Sequence, residues 1–514
     1  MFAYFYRIFI PFMLSVGVTM ATASELSLKT AIAAALEHNL GLRIATYEPA
    51  NALDSVEIED AQFDLSLFGQ TSLDERQSAA SSSALDAATA PESESRGASV
   101  GVDKRFSTGA TVTLDSSISR SASNNNAARN PDYGTDVGLS IRQPLLKGAW
   151  SRVNLAPLAR AKVTAERSIF ELRSEILDLI LDTEIAYWNL AYARADRTLI
   201  ASSLALAENL LEENRERERL GLVTPLEVLQ AEAEVLNQQE AVLQADNVIA
   251  DAEDALRRSM GLADFIEPIH QEVFVAGLPG QMEPLRPIEV VVKDTVLNDV
   301  AAQIQERRLE IERINHMLAQ DETRPDLDFT GGLSYLGRDT NGSTAYRGAY
   351  NADGYDWSLG MELRVPWGFR EARARVRQAE RSVEQASLEL YDIKQEKALA
   401  ARNAWRSAST GLKRIEVTRT AMLLNEEAFE QERARYGSGL VAYRNVLEAQ
   451  RDFDQARSRY LASLIETLRA TVRLSRVDGT LLQRNGLDWD IVDPYTQVLE
   501  PSAELTTSLS SNTP

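Results

Sequence analysis

Two stretches of the chain can be laid one over the other: Arg215–Ala231, RERERLGLVTPLEVLQA, and Arg433–Ala449, RARYGSGLVAYRNVLEA. The same letters fall at Arg215/Arg433, Arg217/Arg435, Gly221/Gly439, Leu222/Leu440, Val223/Val441, Val228/Val446, Leu229/Leu447 and Ala231/Ala449, and the offset between partners never changes. A long helical pattern precedes each copy and a second one follows it. A glycine that ends one helix, a few residues of turn and a fresh helix start make the tip of an αα-hairpin. The sequence therefore reads as two copies of one unit, each reaching its far end at this tip. The alternative, three or so globular domains, is what 514 residues would ordinarily imply.

Outward from the first tip, Leu158–Leu220 contains neither proline nor glycine, which predicts a helix of roughly 95 Å at 1.5 Å per residue. Ile169, Leu172, Ile176, Leu179, Thr183, Ala186 and Leu190 step by three and four along it, the seam of a coiled coil. Beyond the tip, helix resumes at Pro225, a residue suited to a first helical turn, and ends at Gly261. The second copy repeats the plan. A long helix over Arg370–Tyr436 has its seam at Val376, Ala379, Val383, Ala386, Leu390 and Ile393. The helix after the second tip keeps the step at Val446, Ala449, Phe453, Ala456, Tyr460, Ser463, Thr467, Ala470 and Leu474.

Before each long helix the period changes to two. In the first half Phe63, Leu65 and Leu67 alternate with polar residues, two more strands are expected around SVGVDKRF and ATVTLDSSIS, and Val137, Leu139 and Ile141 alternate again. Ser- and Ala-rich residues 77–97 read as a long exposed loop, and SNNNAARNPDYG as a second. In the second half Leu327, Phe329, Gly331 and Leu333 alternate, a polar loop spans 337–355, and Trp357, Leu359, Met361, Leu363 and Val365 share one face. QPLLKG (143–148) and VPWG (365–368) join strands to helix. Helix is also expected over about 26–58, interrupted near Pro49, and over about 288–320, ended by Pro325.

The N-terminus has one arginine, an apolar run to about Met20 and then Ala21-Thr22-Ala23, a secretory signal peptide cleaved after Ala23. No later stretch approaches the roughly 20 apolar residues of a membrane helix, which leaves a transmembrane β-barrel open. There is no cysteine, hence no disulfide and no lipid attached through one. The net charge of −22 argues against a nucleic-acid partner and reads as solvated helix faces. His38, His270 and His316 are scattered without metal-ligand spacing, and no phosphate loop, G-x-S-x-G or HExxH occurs, so no metal, cofactor or enzymatic chemistry is expected. The resulting plan is a signal peptide (1–23), a first repeat (24–261, strands at about 62–143, tip at about 215–231) and a proline-rich connector (262–290). A second repeat follows (291–479, strands at about 326–366, tip at about 433–449), then a partly disordered tail (480–514).

One chain supplies too few strands to close a wide barrel, and open strand edges cannot face lipid, where each unpaired backbone group costs several kcal/mol. Either several protomers pool their strands or the strands lie outside a membrane. Pooled strands leading into long coiled helices make a tube. Taken together, the signal peptide, the two halves, the strand-to-helix junctions, YWNL (187–190) and the two G-L-V-x-x-x-x-V-L-x-A tips resemble the TolC-type outer-membrane efflux protein family over essentially the whole mature length.

The resemblance implies an α+β membrane protein in which three protomers form one transmembrane β-barrel, normally with four strands from each. That barrel is continuous with a long α-helical coiled-coil periplasmic tunnel. It further implies an outer-membrane location with the helices in the periplasm. Passive conduction of substrates is implied too, in contact with outer-membrane lipid, with a periplasmic adaptor at the tips and, indirectly, an inner-membrane pump. Efflux and type I secretion look alike at this level. At the tunnel mouth the family's acidic pair matches Asn445 and Glu448, so one carboxylate is kept. The family's closing contact, a tyrosine reaching an acidic residue, matches Tyr436 and Glu227. The arginine of that network falls at Val441, a departure for which Arg444 is near enough to substitute. Gly221, Leu222, Val223, Gly439, Leu440 and Val441 match the adaptor-contacting tips.

Plainer readings stand beside these. Glu227 and Glu448 also read as solvated helix residues, Tyr436 as a staple for the turn, Gly221 and Gly439 as helix C-caps, and Tyr187, Trp188 and Trp405 as packing between helices. The first half offers four strands and the second two. The extra pair near 98–120 enlarges the barrel or stands above it, or residues 63–75 are not a membrane strand. A non-pore coiled-coil scaffold of the envelope is the competing function, and it has no use for paired strands beside each long helix.

Overall fold

The computed structural model describes residues 26–77, 92–124, 130–262, 275–279 and 282–487. The expected signal peptide, most of the Ser/Ala-rich loop, part of the second polar loop, part of the connector and the chain end lie outside the described residues. Three helices open the chain, α1 (Leu28–His38), α2 (Leu40–Ala45) and α3 (Tyr47–Ala61), followed by strands β1 (Leu65–Gln77), β2 (Glu92–Arg105), β3 (Thr111–Ser123) and β4 (Asp132–Pro144). The short α4 (Ser151–Asn154) leads into α5 (Ala156–Arg219), which is succeeded by α6 (Pro225–Ser259), α7 (Ile288–Asn298) and α8 (Val300–Asp321). Then come β5 (Asp326–Asp339), α9 (Gly342–Tyr350), β6 (Gly354–Arg364), α10 (Arg370–Gly437), α11 (Tyr443–Val477) and α12 (Leu481–Arg484). Among the described residues no helix is long and apolar enough to cross a membrane.

The long helices follow their predicted seams. All six seam residues of α10 and all nine of α11 are buried or half-buried, while most of their neighbours on α10 are exposed. On α5, Leu172, Ile176, Thr183 and Leu190 are buried and Ile169, Leu179 and Ala186 half-buried. Several expectations are corrected. The opening helix breaks near Pro49 as expected, at Thr46, with the proline itself inside the first turn of α3, where it displaces no intrahelical hydrogen bond, and it breaks a second time at Asn39. Asn39 restarts the chain as α2, its Oδ1 accepting from the Leu42 N–H at 3.0 Å. Asp299 divides the expected 288–320 helix in the same way, accepting from the Ala302 N–H at 3.0 Å. Residues 92–97 of the expected loop belong to β2, and the expected 337–355 loop contains α9. Residues 481–484 of the expected tail form α12, whose Leu481 and Leu482 are buried.

The described chain divides into two compact units. The first gathers residues 26–43, 176–292 and 400–487 as far as they are described. Tyr187 is buried in it and accepts and donates at once: its Oη donates to the Leu26 carbonyl (2.8 Å) and accepts from the Ala276 N–H (3.0 Å). Trp405 likewise donates to the Arg286 carbonyl at 2.9 Å. These aromatics pin the segments that flank the helices, a firmer role than packing alone.

The second unit, residues 44–175 and 293–399 as far as described, holds a single antiparallel sheet in the order β1-β2-β3-β4-β5-β6. Its register sorts the side chains onto two faces. One row runs Leu67, Val102, Leu114, Leu139, Leu333, Trp357 across all six strands. Rows on the same face add Val112, Ile141 and Leu359 on one side and Val100, Val137, Tyr335 and Tyr355 on the other. The opposite face is small and polar: Ser66, Asp103, Thr113, Ser140, Gly332, Ser358 in one row, and Phe68, Gly101, Asp115, Gly138, Ser334, Asp356 in the next. Gly101 lets the Phe68 ring lie close, since a Cβ there would come within 2.5 Å of it.

Helix α9 rests on the apolar face. Gly337 admits it: an added Cβ would stand 1.8 Å from the Ala345 carbonyl oxygen. The buried Thr135 hydroxyl donates to that same oxygen at 2.8 Å. Where the sheet meets α5, Asn154 Nδ2 donates to the Gly148 carbonyl (2.7 Å) and the Gly148 N–H donates to Asp321 (2.7 Å), so the QPLLKG junction is clasped by side chains.

Candidate functional site

Both tips fold as the repeat predicts, and by the same bonds. Gly221 has φ +73° and Gly439 φ +71°. The Leu222 N–H reaches back to the Arg217 carbonyl and the Leu440 N–H to the Arg435 carbonyl, each at 2.9 Å. Gly221 and Gly439 bond Glu218 and Tyr436 at 2.8 and 2.9 Å, which completes a Schellman end in each copy. Thr224 and Ala442 then start the next helices from matching extended conformations. Leu222 and Leu440 stand 71% and 72% exposed, with Leu220, Leu226 and Leu229 exposed beside the first, while Val223 and Val441 are half-buried. Each tip thus leaves its Gly-following leucine exposed and keeps its valine half-buried.

Behind the tips Ala207, Leu210, Leu211, Ala231, Val235, Phe429, Tyr436, Tyr443, Val446 and Leu447 form one buried cluster. Tyr436 lies at its centre. Its hydroxyl donates to Asn214 Oδ1 at 2.5 Å, and the Arg217 guanidinium sits 4.4 Å over its ring while Arg217 Nη1 donates to the Tyr436 carbonyl at 3.1 Å. Glu213 pairs with Arg217 at 2.7 Å. Burial raises the Tyr436 pKa, Arg217 works against the rise, and Glu227 and Glu213 add to it. Tyr436 packs on Tyr443, with ring centroids 5.7 Å apart, and burial followed by the Glu234 charge raises that phenol's pKa as well. One shell further, burial works to raise the Glu234 pKa, but hydrogen bonds from Arg451 (2.8 Å) and Gln238 (2.9 Å) outweigh it and the net shift is downward. Burial raises the Asp454 pKa, although Ser203 donates to it at 2.7 Å.

The expected network is therefore rewired. The phenol of Tyr436 bonds Asn214 rather than Glu227, which is half-buried and acts on it through charge. Arg444 does not join Tyr436; it pairs along its own helix with Glu448 at 2.9 Å, both side chains being exposed. Val441 packs against the buried cluster, and the arginine over the tyrosine comes from the other hairpin as Arg217. Asn445 is exposed one residue from Arg444. Asn214 and Arg217 were missed in the sequence because nothing in their spacing marks them. Arg217 is a repeated letter, yet among the described residues its counterpart Arg435 makes a local pair with Glu432 at 2.6 Å instead of reaching the other hairpin.

Comparison with known proteins identifies the family and the fold. The family model described as outer membrane efflux protein matches residues 104–262 and 298–480, more than half of the chain. The chain belongs to that family, whose members are outer-membrane channels and not enzymes. No curated protein matches it. Among solved structures it is similar to the CmeC outer membrane channel of Campylobacter jejuni, with 16% identity, 90% of each chain covered and a TM-score of 0.64. It is similar to VceC of Vibrio cholerae, with 16% identity, 88% of this chain and 96% of that one covered and a TM-score of 0.64. The open-state MtrE channel of Neisseria gonorrhoeae also matches, with 15% identity, 88% and 89% coverage and a TM-score of 0.59.

Proposed function

We propose that this protein is the outer-membrane channel-tunnel of a tripartite efflux or type I secretion system. Three copies pool their sheets into one barrel continuous with an α-helical tunnel built from the two tandem repeats of each chain, and the channel conducts its substrates passively. The observation that carries the reading is the sorting of the sheet. One face is apolar across every strand, the other is polar, and a soluble scaffold would have no reason to expose the first to water. Tyr355 and Tyr335 near one end of the apolar band, and the exposed Trp367 and Trp150 beyond the other, stand where interfacial aromatic girdles belong. The paired strands weigh against the scaffold reading.

In this reading Tyr436, Asn214 and Arg217 latch one hairpin to the other at the closed mouth, with Glu227 alongside. Glu448, balanced by Arg444 and flanked by Asn445, lines the entrance. Glycines 221 and 439 shape the tips, where Leu222 and Leu440, supported by Val223 and Val441, meet a periplasmic adaptor coupled to an inner-membrane pump. Planar-bilayer recording of the detergent-purified protein tests the pore. Discrete cation-preferring channels are expected, and an absence of conductance from intact trimers, with or without an adaptor, would remove the channel reading. For the tips, Leu222→Asp with Leu440→Asp should abolish export in a complementation assay while leaving the trimer intact.

A further inference from the structure

We infer that all six strands of each copy stand in the barrel wall, so that three copies close an eighteen-stranded barrel in place of the family's usual twelve; this rests on the trimeric channel reading above. Edge occupancy decides the count. Strand β3 is bonded on one side to β4 over eleven residue pairs, Thr111↔Arg142 to Ser121↔Asp132, and on the other to β2 from Ser93↔Ser123 to Arg105↔Thr111. It therefore has no edge left for a neighbouring copy. Among the described residues only β1 and β6 have one side unpaired. A four-stranded contribution would require β2 to leave β3, breaking that whole ladder inside a medium that offers its backbone groups no other partner.

The side chains agree. Leu67 of β1, Val102 of β2 and Leu114 of β3 lie in the same row as Leu139 and Trp357, and Leu67 is 78% exposed, as lipid-facing residues of an isolated copy must be. A hairpin standing above the bilayer would turn this apolar face to water. From β1 to β6 the apolar stretch also slides along the strands, from Leu67–Leu73 towards Leu363, the drift that tilted strands need to keep a level band.

The partner of the β1 edge is accordingly β6 of a second copy. With strands about 4.8 Å apart and tilted about 40°, the wall is about 36 Å across against about 24 Å for twelve strands. Its mid-level lining bears Asp103, Asp115, Asp136 and Asp356 among serine and glycine, with no cationic side chain in those rows. The wider pore therefore admits bulkier solutes than the family's usual barrel and favours cations over anions.

The chain has no cysteine, so cross-linking is clean. Gln70→Cys or Ser72→Cys on β1 is combined in turn with Asp356→Cys or Ser358→Cys on β6, all on the polar face, and the full-length protein is oxidised in membranes. Ser117→Cys on β3 with the same β6 positions serves as the contrast. Covalent dimers and trimers from a β1/β6 pair and none from β3/β6 are the expected result. Cross-links between copies from β3/β6 alone would establish twelve strands and overturn the inference while leaving the trimer. An absence of both overturns it too, and the particle mass then separates the two readings: a trimer keeps the channel reading, a single chain removes it.

Discussion

Replacing Tyr436 by phenylalanine isolates the latch from the packing around it. The ring stays, with its place in the buried cluster and beneath Arg217, and one hydroxyl is lost. Asn214 is fully buried, the hydroxyl donates to its Oδ1, and among the described residues its Nδ2 has no hydrogen-bond partner. Stranding that oxygen costs about 1–3 kcal/mol. The bond joins α5 to α10, so on the proposed gate reading it is made when the hairpins are together and gone when they part, and the cost falls on the closed state. In the proposed trimer, with three latches at one mouth, the closed state loses about 3–9 kcal/mol, which at about 1.4 kcal/mol per decade raises the open-to-closed ratio at least roughly a hundredfold. Single-channel recording in planar bilayers measures this directly as open time. An open time equal to that of the parent protein, from trimers of unchanged mass, would refute the assignment of Tyr436 and Asn214 to the closed gate.

Other expectations follow from the same geometry. Arg217→Ala removes the cation over the ring, worth about 0.5–2 kcal/mol, together with the hydrogen bond to the Tyr436 carbonyl, worth about 0.5–1.5 kcal/mol, and should raise open time about as much as Tyr436→Phe does in the same recordings. Reversal potentials in a salt gradient should show Glu448→Gln less cation-selective and Arg444→Gln more so, because the arginine now offsets that carboxylate. The raised pKa of Asp454 means that its contribution to stability is present below the ordinary carboxylate range and is lost as pH rises through the raised value. Asp454→Asn should therefore raise the thermal midpoint at neutral pH and lose that advantage in acid. Glu234, shifted downward, behaves oppositely: its stabilisation is present at neutral pH and lost as pH falls through the lowered value, so Glu234→Gln should cost most near neutrality. Gly337→Ala would drive a methyl into the Ala345 carbonyl and should destabilise the sheet by about 1–3 kcal/mol, read as earlier loss of the folded barrel on heated gels.

The repeat made the tips legible as glycine-capped helix ends, because a glycine followed by a leucine and a valine between two helical patterns leaves few other ways to end one helix and start another. The seams were equally plain, since their step persists for many turns. Strands were found by alternation, but β2 begins earlier than its apolar residues, at Glu92, because its polar start is held by pairing with β1 rather than by its own composition. Helix α9 was invisible for a related reason. Its glycines and tyrosines read as loop, and it forms because Gly337 opens a place on the sheet where Ala345 and Ala349 can pack. The rewired latch depends on which side chains face each other across two hairpins, and no periodicity within one hairpin reports that.

The choice of an amide at position 214 has a consequence for the surroundings in which the protein works. Space outside the inner membrane follows the acidity of the medium, and a closure hung on a carboxylate would weaken as that carboxylate took up protons. Asparagine has no proton to gain in that range, and a buried phenol whose pKa is raised has none to lose. Souring of the habitat therefore leaves the central fastening as strong as before. On the proposed gate reading, opening then falls to a mechanical event, the drawing apart of two hairpins.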